Sequence, residues 1–410
     1  MILNVVWLGL FFLGALLGTW RWAIGDDPKV FAAMAEATFS SAKTGFELAL
    51  GLTGALTLWM GLMKVGEAGG AIQLLSKLLA PLLRRVFPGL PSDHPASGSM
   101  VLNFAANMLG LDNAATPAGL KAMKELDQLN PNPGTATNHQ VMFMVLHAGS
   151  LTLFPVSIMA LRATAGAKNP ADIFLPILVA SACSVMGGFL AVALVQRIKL
   201  WDPILLAWIL GVGGVLGGGV TMISMLPHDQ VESVSTTLGT GLMLAAIVWF
   251  LGLATYKKVN AWDVFTEGAK EGFTTAISLI PFMVGILVAV GVFRASGGMQ
   301  LVVDGIWACV SWTGIPAESA GAFPTMLMKP LSGGGARAMT IDAMKTFGVD
   351  SFTGRLASLL QGSTDTTLYV IALYSGAIGL KKTRYVLPCA LIADVCGFIG
   401  AFAMAMVFFR

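Results

Sequence analysis

LLQGSTDTTLYVIALYSGAI, residues 359–378, is apolar enough to lie in a bilayer, yet its middle reads Gly362, Ser363, Thr364, Asp365, Thr366, Thr367. Five consecutive polar side chains in hydrocarbon each need a partner. An ionised carboxylate near the bilayer centre costs at least ~2.5 kcal/mol on insertion scales. Such a run persists where it faces a protein interior or a wet cavity. Glycine and hydroxyl residues also weaken a helix locally, so the stretch is expected to form two half-helices around a polar break. The break is read either as a substrate or ion site at mid-membrane depth or as a structural polar contact between packed helices. Ionisable residues inside a membrane are functional by default, which favours the first.

The composition sets the frame for that stretch. The chain has 410 residues, 56% hydrophobic and 11% charged, with a mean hydropathy of +0.77. Soluble domains carry about 25% charged residues, so this reads as an all-α polytopic membrane protein. Forty-eight glycines suit close helix packing and broken helices. A net charge of +3 gives no reason to expect nucleic acid. Cys183, Cys309, Cys389 and Cys396 all sit in apolar segments without metal-ligand spacing, so they read as small core residues. The four histidines form no HExxH pattern, and GxxxxGK[ST] does not occur in the sequence. No metal, no cofactor and no nucleotide-driven pump is expected. A coupling ion, sodium or a proton, is the expectation near Asp365.

Outward from the break, the spans fall into order. Residues 2–23 are about 20 apolar residues without a basic n-region, and read as a retained helix rather than a signal peptide. Residues 26–43 read as a helix on the membrane surface, and 45–65 as the second span with Glu47 at its rim. Residues 69–87 are amphipathic. Residues 96–111 are too short to span and read as a re-entrant hairpin, with Asn103 and Asn107 four apart on one face. Those amides can bind a polar solute or cap neighbouring backbone. Asp112, Asn113 and Thr116 follow as a polar loop. Residues 117–126 restart a helix with Pro117 at N1 and Asn113 or Thr116 as its cap. The span 139–161 is interrupted by His147, Gly149, Ser150, Thr152 and Pro155.

Residues 171–195, 203–226 and 234–256 are further spans, the second with a glycine-rich packing face. Another surface stretch, 262–271, precedes the span 272–293. The short apolar 298–313 and a second hairpin candidate, 317–331, come next. A loop of Ser332, Gly333, Gly334, Gly335, Ala336 and Arg337 then offers backbone N–H groups and a guanidinium to a ligand, or is a plain loop with a rim arginine. After the break, 385–409 is the last span. It buries Asp394, a second intramembrane carboxylate.

The two halves repeat. Ala42-Lys43-Thr44-Gly45-Phe46 returns as Ala269-Lys270-Glu271-Gly272-Phe273, and Ala68-Gly69-Gly70 as Ser296-Gly297-Gly298. Ala122-Met123-Lys124 returns as Ala343-Met344-Lys345, Gly149-Ser150 as Gly362-Ser363, and Leu175-Pro176 with Cys183 as Leu387-Pro388 with Cys396. Five matches in one order point to two structural repeats, each with a re-entrant helical hairpin and a broken transmembrane helix. Paired broken elements mark the binding site of secondary transporters, and the repeats are expected to be inverted about an axis in the membrane plane.

Residues 91–130, PSDHPASGSMVLNFAANMLGLDNAATPAGLKAMKELDQLN, resemble the most distinctive block of spore maturation protein A. Residues 329–385, opening KPLSGGGARAMTIDAMKTFGVD, resemble that of spore maturation protein B. The chain looks like the two fused near Lys199: 1–199 as a first Gate-like repeat and 200–410 as a second. The wider nucleoside-recognition Gate group also takes in the concentrative nucleoside transporters and the membrane part of the ferrous iron transporter. The resemblance implies hairpins and unwound helices around a solute and a coupling cation. By that likeness Ser150, Thr152, Ser363, Thr364, Asp365, Thr366 and Thr367 become candidate contacts, together with Asp112, Asn113, Thr116, Ser332 and Arg337. The Gln-Glu pairs typical of nucleoside contacts are not found at the hairpin tips.

The function expected is a secondary active transporter of a small polar organic solute, nucleoside-like or another metabolite, that is cation- or proton-coupled. It is expected to be multi-pass in a bacterial cytoplasmic (inner) membrane, and, as related Gate proteins form symmetric assemblies, a homo-oligomer. The alternative is a non-transporting membrane scaffold or receptor in the envelope or in spore maturation. No nucleophile and base pair in the sequence argues for an enzyme.

Overall fold

The computed structural model describes residues 2–25, 27–91, 94–110, 112–225 and 228–410; the side chains of 2, 3, 112–114, 212, 215, 223, 224, 228, 229, 231, 232, 235, 236 and 313 are outside the description. Asp26, Leu111 and Leu226, each a bound of a segment expected above, lie outside the described residues.

In chain order the first half holds α1 (Ile2–Ala23), α2 (Val30–Gly69), α3 (Ala71–Val86), α4 (Pro95–Met108), α5 (Asp112–Asp127), α6 (Asn138–Gly149), α7 (Val156–Thr164) and α8 (Phe174–Gln196). Then come α9 (Pro203–Ser224), α10 (His228–Tyr256), α11 (Ala261–Ala295) and α12 (Gly298–Val310). Two 3-10 turns, Ser311–Thr313 and Ala317–Ala322, lead to α13 (Phe323–Met328), α14 (Gly333–Phe347), α15 (Phe352–Gly362), α16 (Thr367–Ala377) and α17 (Val386–Phe409). Among the described residues, seven helices are long and apolar enough to cross a membrane, in α1, α2, α8, α9, α10, α11 and α17. The chain is an all-helical, multi-pass membrane protein.

Both expected breaks are present. The first interrupted span is α6 and α7, 12 and 9 residues long. The second is α15 and α16, 11 residues each. At 1.5 Å per residue none of these pieces reaches across the ~30 Å of hydrocarbon.

Several expectations are corrected. The surface helix 26–43 and the span 45–65 are one helix, α2, of 40 residues. Likewise 262–271 and 272–293 are one helix, α11, of 35. In α2, Ala32, Ala33, Ala35 and Ala37 favour helix and no proline interrupts it. The glycines read as boundaries are contact points instead: a Cβ on Gly45 would stand 2.9 Å from Val284 Cα, and one on Gly272 2.6 Å from the Leu56 carbonyl. The true stops are Gly70 and Gly297, with φ of 93° and 86°, a conformation glycine adopts without penalty.

Pro117 does not start a helix either. Helix α5 begins at Asp112, so Pro117 stands inside it, without the N–H that would pair one turn back. Nor is 333–337 a loop. Ser332 caps α14 by accepting from Gly335 N at 3.1 Å, so Gly333, Gly334 and Arg337 lie in its first turns. Gly334 is seated against the Phe282 ring and Gly335 against the Met328 methyl. The glycine-rich face of α9 meets nothing among the described residues. Gly211, Gly213, Gly214, Gly217, Gly218 and Gly219 have no atom within 4 Å of their Cβ positions. Cys309 is exposed on α12 rather than in a core.

The described residues form two compact units. One is Met1–Trp59, Ser157–Pro170 and Ala269–Gln361; the other is Met60–Val156, Ala171–Gly268 and Gly362–Arg410. In the first, Leu52, Leu161, Met283, Leu287 and Ile341 form one cluster and Phe293, Met299, Met328 and Met339 another. Arg162, fully buried on α7, donates to the Val349 carbonyl at 2.9 Å and to Asp350 Oδ1 at 3.1 Å. Asp350 Oδ2 also accepts from Lys168 N at 3.0 Å. Arg294 Nε meets the Asp342 carboxylate at 2.9 Å, and Lys345 donates to Thr44 at 2.7 Å.

The second unit is organised by α8 against α17. Lipid tails are as apolar as the helices, so association rests on close packing through small residues. A Cβ on Gly188 would stand 3.0 Å from the Ala393 Cβ, and one on Gly400 3.1 Å from the Ala180 Cα. Gly187 abuts Cys396 in the same seam. Around this pair, Phe87, Met100, Met123, Phe143 and Tyr374 build a buried core.

Candidate functional site

The polar centre of the second unit lies where α6 ends and α16 begins. Helix α6 is started by a capping box: Gln140 N donates to Thr137 Oγ1 at 3.2 Å and Thr137 N to Gln140 Oε1 at 2.7 Å. It stops at Ser150, which has a φ of 45°. The break before α16 is tied to that end, because Asp365 N donates to the Ala148 carbonyl at 2.9 Å. Asp365 therefore stands by the N-terminus of α16, where the helix dipole favours a carboxylate. Its Oδ1 accepts from Thr366 N at 2.6 Å. Its Oδ2 stands 3.7 Å from His147 Nε2.

His147 is the hub. Its Nδ1 is 3.1 Å from Asn103 Oδ1 and 3.2 Å from Tyr374 Oη. Asn103 Nδ2 donates to the Ala115 carbonyl at 2.7 Å and lies 3.4 Å from Tyr374 Oη. The ring of Tyr374 meets that of His147 edge-on at 5.1 Å between centroids. Gly119 makes room for this network, since a Cβ there would run into Tyr374 Oη and stand 2.7 Å from Asn103 Nδ2. Ser150 Oγ donates to Asn107 Oδ1 at 3.3 Å, which joins the hairpin candidate to the first break.

A second polar layer lies along α8 and α17. Thr367 donates to Asp394 Oδ2 at 2.7 Å, and Thr152 N to Ser181 Oγ at 3.3 Å. The buried hydroxyls of Ser184 and Thr364 make no hydrogen bond among the described residues. Both side chains border Gly397: its Cβ position is 2.7 Å from Thr364 Cγ2 and 2.9 Å from Ser184 Cβ.

Of the residues expected from sequence, Asn103, Asn107, His147, Ser150, Thr152, Ser363, Thr364, Asp365, Thr366 and Thr367 belong to this one unit. Contacts link Asn103, His147 and Asp365 directly. Thr116 is half-buried on α5, and the side chains of Asp112 and Asn113 lie outside the described residues. Ser332, Gly333, Gly334 and Arg337 belong to the other unit. There, Gln361 Nε2 is 3.4 Å from the Gly333 carbonyl.

Sequence reading missed Tyr374, Ser181, Ser184 and the role of Asp394 as the partner of Thr367. Tyr374 lies seven residues beyond Thr367, two turns along one helix face, so a signal for it existed. Ser181 and Ser184 sit inside an apolar span with no local cue.

The Gate family of nucleoside-recognition domains matches residues 49–192, which carry α4 to α6 and so Asn103, His147 and Ser150. Spore maturation protein B of Bacillus subtilis (strain 168) is 43% identical over 172 residues, 42% of this chain and 95% of that protein. Spore maturation protein A of the same strain is 33% identical over 187 residues, 46% of this chain and 92% of that protein. The chain belongs to the spore maturation protein A and B family. Two near-complete relatives, each about half its length, suit a chain with two sets of broken helices. In this member of the family, the polar centre joins elements of both halves: α4 and α6 from the first, and residues 363–367 with α16 and α17 from the second.

Proposed function

We propose that this protein is a secondary active transporter of a small polar organic solute, coupled to a cation or proton and not an enzyme. Its site is the polar centre around Asp365, near the bilayer midplane of the bacterial inner membrane. One observation carries the reading. Asp365 keeps 36% of its side chain accessible in a helix break, while its neighbours His147, Ser363, Thr364, Thr366 and Thr367 are buried. An ionisable group that is reachable, yet held among buried polar residues, serves a ligand or ion better than it serves packing. The half-helix ends at Gly149 and Thr367 present opposite dipole ends to the same place, which suits an ion and a polar solute together.

The two halves are inverted repeats in this proposal. Each runs as long helix, left-handed glycine, short helix, hairpin, helix, two half-helices and apolar span. Helix α4, with 14 residues, is too short to cross and turns back at Gly110 (φ 74°) as a re-entrant hairpin. Accessibility labelling at Lys43 and Lys270 is expected from opposite faces of the membrane; labelling from one face would sink the inverted arrangement.

The test of function is a thermal-shift screen of purified protein with nucleosides, amino acids, polyamines and organic acids. A solute at 100 times its dissociation constant stabilises by ~2.7 kcal/mol. A hit that disappears in Asp365→Asn supports the proposal. Silence from a folded protein across the panel favours the second reading, a membrane scaffold or receptor. The bare glycine face of α9, free to meet a partner or a second copy, is what speaks for that reading.

A further inference from the structure

Asn103 decides which nitrogen of His147 carries a hydrogen. Its Nδ2 donates to the Ala115 carbonyl at 2.7 Å, an atom that can only accept, so Oδ1 is the atom turned to His147 Nδ1 at 3.1 Å. An amide oxygen also only accepts, which makes Nδ1 the donor. Tyr374 Oη stands 3.2 Å from the same nitrogen and within 3.4 Å of Asn103 Nδ2, placed to accept from both. Nε2 is then the nitrogen whose protonation changes, and it faces Asp365 Oδ2 at 3.7 Å.

We propose that His147 Nε2 and the Asp365 carboxylate together hold one exchangeable proton, and that this proton is the coupling ion of the transporter. The proposal rests on the transport reading for its role, not for the binding itself. A proton arriving from water makes an imidazolium facing a carboxylate, and the two attract. Its departure leaves a nitrogen lone pair facing the carboxylate, and the two repel. The response falls on the break, because Asp365 is held to α6 by its backbone N–H to Ala148 while its Oδ2 is turned to the ring. Protonation therefore draws the start of α16 to the end of α6, and deprotonation pushes it away.

Among the described residues, the ionisable groups on the elements around the ring do not compete. Tyr374 of α16 faces it as a phenol, and Asp394 of α17 accepts from Thr367. Cys183 of α8 and Cys396 of α17 are free, half-buried thiols. On α5, Lys121 pairs with Glu125 at 3.8 Å, and Asp127 accepts from Gln140 and Asn130. Helix α4 has no ionisable side chain. The carboxylate of Asp365 is the charged group that faces the ring, with Oδ2 3.7 Å from Nε2.

Nitrogen NMR of the histidine-labelled full chain tests this without any solute. His147→Gln identifies the His147 signals among those of His94, His139 and His228. The expected result is an Nδ1 protonated at every pH and an Nε2 that titrates, with a midpoint displaced by about one pH unit or more in Asp365→Asn. Asn103→Leu and Asn103→Ala, made together in case one fails to fold, are expected to admit the other tautomer. A merely structural Asn103 would leave the tautomer unchanged. An Nε2 that stays protonated throughout, or a midpoint indifferent to Asp365→Asn, overturns the proposal. Sodium-driven uptake with no titration at Nε2 would keep the transporter and remove its proton. A titrating pair in a protein that moves nothing would do the reverse.

Discussion

Asp365→Asn is expected to lower gradient-driven solute accumulation in proteoliposomes by about 100-fold, or roughly 2.7 kcal/mol, the scale of removing one charge from a half-buried pair. Asparagine keeps the size of the side chain, and its oxygen can still accept from Thr366 N. The backbone bond from residue 365 to Ala148 is untouched. Stability should therefore fall by no more than ~1 kcal/mol, the contribution of a carboxylate at a helix N-terminus. Uptake and thermal unfolding, measured on the same preparation, separate the two effects. A variant that accumulates as the parent does removes Asp365 from the mechanism. A variant that fails to fold makes it structural.

The largest effect on stability is expected at Arg162. Its side chain is fully buried, its guanidinium bridges the Val349 carbonyl and Asp350 Oδ1, and Asp350 in turn receives Lys168 N–H. These contacts fasten the C-terminal end of α7 to the turn before α15. Arg162→Ala leaves a carboxylate without its cation, a carbonyl without a donor and a cavity the size of the side chain. A loss of ~3 kcal/mol or more is expected. Lysine offers one point of charge where the guanidinium forks between two acceptors, so Arg162→Lys should fall between the two. Thermal unfolding in detergent measures both. A shift in Arg162→Ala worth less than ~1 kcal/mol would show that the bridge contributes little.

The broken helices were the most legible part of the chain. Gly362 to Thr367 and His147 to Pro155 put polar and helix-breaking residues inside apolar runs, and the structure breaks there. Two kinds of feature were hidden. Helix ends at Gly45 and Gly272 were misread because a glycine that ends a helix and a glycine that admits a neighbouring backbone look alike in sequence. The difference lies in Val284 and Leu56, residues far along the chain. Ser332 was the converse case: a serine before three glycines looks like a loop, yet its hydroxyl caps a helix. The central pairings were illegible for the same physical reason. Asn103 and His147 are 44 residues apart and His147 and Tyr374 are 227 apart, and no local pattern encodes a contact at such a separation. Asn103 and His147 were named as candidates by residue type. Only the fold shows that they face each other and Asp365.

Uptake by proteoliposomes under an imposed gradient, with the solute taken from the class that stabilises the purified protein, is the most direct test of coupled transport. Accumulation of that solute above its equilibrium level when the gradient is imposed, absent in Asp365→Asn, is the expected result. Uptake that never exceeds equilibrium under a proton or a sodium gradient, from protein shown to be folded and inserted, would contradict it.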